Sequence, residues 1–111
     1  MRALVCREFG SFEDLVIEEW DDPVPGAGEI VFDVKAAGLN FADILGIAGQ
    51  YQVKAPLPFV AGNEAAGIVT AVGDGVKAFK PGDRVIGALR GGAFAEKSVV
   101  AAAAAIPLPD A

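Results

Sequence analysis

Residues 56–87, PLPFVAGNEAAGIVTAVGDGVKAFKPGDRVIG, decide the fold. After Phe59-Val60 and Gly62, an apolar run from Ala65 to Val72 ends in a turn at Gly73 to Gly75. A second turn, Lys80 to Asp83, precedes a shorter run from Arg84 to Ile86. Apolar runs of this length between clusters of Gly, Pro and Asp read as strands joined by tight connections. In Lys80-Pro81-Gly82-Asp83, Pro81 presets φ and Gly82 accepts a positive φ, which predicts a type II turn. The polar pair Asn63-Glu64, set between Gly62 and Gly67 where the first of these strands begins, is an insertion that an entirely structural sequence would have little need for.

Towards the N-terminus the chain continues to read as strand. Ala3 to Cys6 and Leu15 to Trp20 suggest an opening hairpin, and the connection Asp21 to Gly28 carries Pro23, Pro25, Gly26 and Gly28. Glu29 to Ala36 alternates, with Ile30, Phe32, Val34 and Ala36 on one side and Glu29, Asp33 and Lys35 on the other, Val31 among them; that is a half-buried strand. Gly38 to Gly49 breaks the pattern. Asn40 is placed to cap a short helix, Asp43 stands three residues on as the acidic member of a box, and Phe41, Ile44, Leu45 and Ala48 recur at helical spacing, which predicts about two turns. Gln50 to Pro58 is an ordered connection that includes Tyr51.

On the C-terminal side, Phe94 to Ala101 is a further strand. Ala101 to Ala105 has high helix propensity but runs into Ile106-Pro107-Leu108-Pro109, so an extended exit is expected. The whole is mainly β: a small closed or nearly closed β-barrel with one or two short helices, closure being the way such short strands avoid exposed edges.

At 111 residues and 53 % hydrophobic content, with 14 glycines and 7 prolines, the chain fits one turn-rich domain. Its apolar runs fall well short of the roughly 18 residues of a membrane span, and charge returns too early for a signal peptide, which points to a soluble cytoplasmic protein. Cys6 is the only cysteine and reads as a buried thiol. The net charge of −6 is concentrated at the front: Met1 to Asp33 holds nine acids against Arg2 and Arg7, leaving −7, and the remainder carries +1. No basic stripe is interleaved with aromatics, so nucleic-acid binding is not expected.

For chemistry, the absences are informative. With no histidine and one cysteine, neither a Cys/His/Asp triad nor a zinc cluster can be assembled. Neither G-x-G-x-x-G nor G-x-x-x-x-G-K-[ST] occurs, so no dinucleotide or phosphate loop is present. Asn40, Asp43, Tyr51, Asn63 and Glu64 remain as a polar set that interrupts an apolar β body at strand ends. Each has an ordinary structural explanation on its own. Unaided, the residues lead to a barrel with a possible cleft rim.

Five motifs go further: AAGLNFADILGIAGQY (36–51), LPFVAGNEAAGIVTAVGDGV (57–76), FKPGDRVIG (79–87), GGAFAE (91–96) and AIPLPD (105–110). In this order and spacing the chain resembles the zinc-free quinone oxidoreductase branch of the medium-chain dehydrogenase/reductases. The resemblance implies a GroES-like barrel over residues 1–111, an incomplete substrate-side domain whose companion Rossmann cofactor domain and C-terminal return segment are absent from this sequence. Zinc-dependent relatives have a cysteine at the position of Asn40 and a histidine at that of Asn63, with a glutamate at Glu64. Two amides there are poor zinc donors, so the resemblance implies no metal. One departure is Ala61, where this branch commonly has proline.

The implied activity is hydride transfer from NADPH or NADH to a quinone or an α,β-unsaturated carbonyl, by a parent enzyme that is a homodimer and contacts neither nucleic acid nor membrane. Asn40 and Tyr51 would be the catalytic donors, and Asn40, Asn63 and Glu64 would touch the cofactor. Two alternatives stay open: a non-catalytic barrel module for protein assembly, and an enoyl-thioester reductase of the same superfamily.

Overall fold

The computed structural model describes residues 1–49, 56–89 and 91–109. In chain order these form β1 (Arg2–Cys6), β2 (Val16–Glu19), β3 (Glu29–Gly38), α1 (Phe41–Ala48), β4 (Phe59–Val60), β5 (Glu64–Val72), β6 (Arg84–Ala88), β7 (Lys97–Ala101) and β8 (Ala105–Pro107). Short 3-10 turns occupy Phe12–Asp14 and Ala102–Ala104.

The expected closed or nearly closed barrel is not what forms. The strands make two open sheets, one in the order β2-β1-β4 and one in the order β7-β3-β5-β6-β8. The larger sheet does curl. Three residues carry the chain from β7 on one edge to β8 on the other, so Ala101 and Ala105 are at most about 15 Å apart, whereas a flat five-stranded sheet would separate its outer strands by about 19 Å. The Ala102–Ala104 turn takes up the approach, and the two edge strands never exchange a ladder. Ala101 to Ala105 is therefore not the extended exit its sequence suggested: the 3-10 turn uses the alanine propensity, and Ala105–Pro107 then pairs with β6.

Phe32 sits fully buried at the centre of the main core with Ile30, Ala65, Val69, Phe79, Val85, Ala93 and Val100. Glycines on β5 and β6 make room for its ring. A Cβ on Gly87 would lie 3.3 Å from the Phe32 ring, and one on Gly67 would run into the Asp33 carbonyl. The simple alternation expected of β3 breaks at register shifts between Val31 and Phe32 and between Val34 and Ala36. Such irregularities re-aim side chains, and here Ile30, Val31 and Phe32 are buried in succession while Ala36 is exposed.

The small sheet buries Ala3, Val5 and Val60, and Cys6 packs with Ile47 and Ala61. The Cys6 thiol is 1 % exposed and donates to the Glu8 carbonyl at 3.1 Å; burial pushes its pKa up, as expected of an unreactive thiol. The turn at residues 80–83 forms as predicted, with Gly82 at φ +97° and the Asp83 N–H donating to the Lys80 carbonyl at 3.1 Å. No helix among the described residues is long and apolar enough to cross a membrane.

Candidate functional site

The site lies at the end of the large sheet where β3 runs out into α1 and β5 begins. Asn40, in extended conformation, is the residue before the helix, and Gly49 closes the other end at φ +74°. Asn40 and Asp43 face each other as a capping box, in which the Asn40 backbone N–H donates to Asp43 Oδ2 at 2.8 Å. The Asn40 side chain faces the Asp43 N–H as the other half of the box, and that N–H also reaches the Asn40 carbonyl at 3.0 Å. Asp43 is the acidic member of the box. Its carboxylate also sits in the first turn, where the helix dipole favours a negative charge.

The apolar spacing of α1 misleads about which side is covered. Asp43 and Ile47 are the buried residues of the helix, while Phe41 is 73 % exposed and Ile44 is 40 % exposed. With Leu39 also exposed, an apolar face stands open beside Asn40. Helical periodicity finds a stripe but does not say what packs against it.

Asn63 and Glu64 approach from the other side. Glu64 is the first residue of β5 and is register partner both to Gly38 on β3 and to Ala88 on β6. Its carboxylate lies over Gly38, in space that a Cβ at that position would occupy. Asn63 is half-buried, and its carbonyl accepts the Leu89 N–H at 2.7 Å. The loop is zipped to residues 91–94: Gly92 N–H to the Val60 carbonyl at 2.8 Å, Ala93 N–H to that of Gly62 at 3.2 Å, and Phe94 N–H to that of Ala61 at 2.9 Å. The buried Ser98 hydroxyl donates to the Gly92 carbonyl at 2.6 Å and so fixes this strap from β7. Nothing in the sequence singles Ser98 out, because its partner is a main-chain atom six residues away.

The structure thus joins Asn40 to Asp43 and Glu64 to Gly38 at one sheet end, and among the described residues it makes no side-chain hydrogen bond between the two pairs. Tyr51 lies outside the described residues. Three or more His, Cys, Asp or Glu residues do not gather into a metal site among the described residues. The donors at the two positions where zinc relatives hold their metal are carboxamides, which do not fit zinc.

The sequence pattern of the alcohol dehydrogenase GroES-like domain matches residues 26–110. The chain belongs to that family and, within the medium-chain dehydrogenase/reductases, to the zinc-independent, quinone-oxidoreductase-like branch. It is 40 % identical over its whole length to the synaptic vesicle membrane protein VAT-1 homolog of Rattus norvegicus, of which it covers 28 %. A probable oxidoreductase from Mycobacterium abscessus superposes with a TM-score of 0.91 at 39 % identity, over 98 % of this chain and 34 % of that one. Escherichia coli quinone oxidoreductase, in complex with NADPH, gives 0.91 at 37 % identity, over 98 % and 33 % respectively. The chain spans about a third or less of the length of these relatives.

Proposed function

We propose that these residues form the substrate-side wall of an NAD(P)H-dependent, zinc-independent oxidoreductase that reduces quinones or α,β-unsaturated carbonyls. The observation that carries this reading is that Leu39, Phe41 and Ile44, all exposed, flank Asn40 along the chain at the strand end where Gly38 pairs with Glu64. A flat, conjugated carbonyl needs such a surface, with apolar contact for its ring or alkene and a few placed donors for its oxygen.

NADPH, bound by a dinucleotide-binding part of a relative-length protein, supplies the hydride. The part of this chain is to orient the acceptor and to stabilise the oxygen that gains charge as hydride arrives at carbon. Asn40 and Tyr51 carry amide and phenol donors for that oxygen. Asn63 and Glu64 line the cofactor side, with Gly38 leaving room for the Glu64 carboxylate. The sequence holds no dinucleotide fingerprint, which supports the reading that most of the cofactor's contacts come from another part of a longer protein.

The test is turnover by the protein in its full encoded length, supplied with NADPH and either a 1,4-benzoquinone or an enone. NADPH oxidation that depends on the acceptor is expected without added metal. No turnover with either acceptor returns the chain to the assembly-module reading.

A further inference from the structure

We propose that Asp43 is a positioning residue for Asn40, so that the aim of the Asn40 amide at the site is set by a buried carboxylate three residues along the helix. This inference rests on the functional reading above. Asp43 is 4 % exposed, the most deeply buried of the acidic residues described, and it lies on the buried side of α1 while the apolar Phe41 and Ile44 of the same helix stay outside. Burial of this kind is costly for an ionisable group unless it is well paired.

Asp43 is only half paired. Oδ2 accepts the Asn40 N–H at 2.8 Å, and Oδ1 is buried without a hydrogen-bond partner among the described residues. An acid three residues past the cap ordinarily reaches back to the cap N–H from the surface of the helix; here it does so from the buried side. The carboxylate holds the main chain of Asn40 in its extended conformation, at φ −124° and ψ 159°, and that conformation limits the rotamers the Asn40 side chain can adopt. A cap bond would engage only the Asn40 side-chain oxygen, as acceptor, so the Nδ2 donors are not used by the helix terminus. A locally unsatisfied buried polar group tied to a candidate donor is the kind of feature found at functional sites.

The test uses the full-length protein with NADPH and 1,4-benzoquinone, comparing Asp43→Ala, Asp43→Asn, Asn40→Ala and the Asp43→Ala/Asn40→Ala double variant, with folding checked by circular dichroism. Asp43→Ala is expected to lower kcat on the order of 10-fold with little change in KM. Asp43→Asn keeps an oxygen that accepts the Asn40 N–H and is expected to restore most of the rate. In the Asn40→Ala background, removing Asp43 is expected to cost less than about twofold, because the residue it aims is gone. Equal losses in both backgrounds, or a wild-type kcat in folded Asp43→Ala, would overturn the proposal.

A second readout is independent of turnover: hydrogen exchange at the Asn40 backbone amide. It is expected to be slow in the wild type and in Asp43→Asn, and fast in Asp43→Ala. If the wild type has no activity, the functional reading fails, and the exchange result alone then decides whether Asp43 holds Asn40; unchanged exchange in Asp43→Ala overturns it.

Discussion

The carboxylate of Glu64 occupies the space that a side chain on Gly38 would need. The two residues are register partners at the last step of the β3–β5 ladder, so the absence of a Cβ on one strand is what lets an acidic side chain lie across the strand end on the other. Two residues beyond Gly38 is Asn40. The missing Cβ at Gly38 therefore admits the Glu64 carboxylate at the strand end that leads into the candidate donor.

Gly38→Ala is expected to push the Glu64 carboxylate away while costing under about 1 kcal/mol, since the atoms in the way are the far end of a flexible, exposed side chain. Gly67→Ala should cost more, about 1–3 kcal/mol or beyond, because the new Cβ meets the Asp33 backbone carbonyl and the Phe32 ring. Denaturant unfolding of both variants measures the difference. Equal costs would contradict the geometry.

The pH dependence of stability has an identifiable acid limb. Arg7 donates to both Glu18 oxygens, through Nε at 2.6 Å and Nη2 at 2.5 Å, and this hydrogen bonding holds the Glu18 carboxyl below its usual pKa of 4.5. A lowered folded-state pKa gives stability that is present above the unfolded value and is lost as pH falls through the folded one. Glu18→Gln should therefore flatten the fall in Tm below about pH 4.5, and the effect should shrink in high salt because the pair is exposed. Lys97 gives the opposite limb. Asp33 Oδ1, 2.6 Å from its ammonium, raises the Lys97 pKa above the usual 10.5, so its contribution is present below that value and is lost as pH rises through the raised one.

Protein purified in the presence of zinc should carry no specifically bound ion, because Asn40 and Asn63 offer neutral amides where zinc relatives offer thiolate and imidazole. Metal analysis checks this. A stoichiometric ion that survives chelation would show that other donors assemble a site.

Tyr51→Phe in the full-length protein removes one hydroxyl and keeps the ring. If that hydroxyl acts mainly on the charged oxygen of the transition state, kcat and kcat/KM should fall together, on the order of 10-fold to 10³-fold. Steady-state kinetics with a quinone and an enone at saturating NADPH measure it. Unchanged constants in a folded variant would take Tyr51 out of the mechanism.

The sequence by itself determined the longer strand segments, though not the short Phe59–Val60 and Ala105–Pro107 strands, together with the turn at Lys80 to Asp83, the two-turn helix after Gly38, the unsuitability for zinc and the family. These depend on local properties, namely the φ ranges of Gly and Pro, the spacing of apolar residues, the residue types present and the order of motifs. Tertiary structure alone decided that the curled sheet stays open, because whether β7 and β8 pair depends on how far the strands between them bend, which neither strand encodes. It also decided that Asp43 and Ile47 turn inward on α1 while Phe41 and Ile44 turn outward. An eight-residue helix has no inside until something packs on it, and here Cys6 and Ala61, far away in sequence, cover the Ile47 side. The placement of Glu64 over Gly38 was illegible for the same reason: it is a cross-strand contact, and only the register of β3 against β5 creates it.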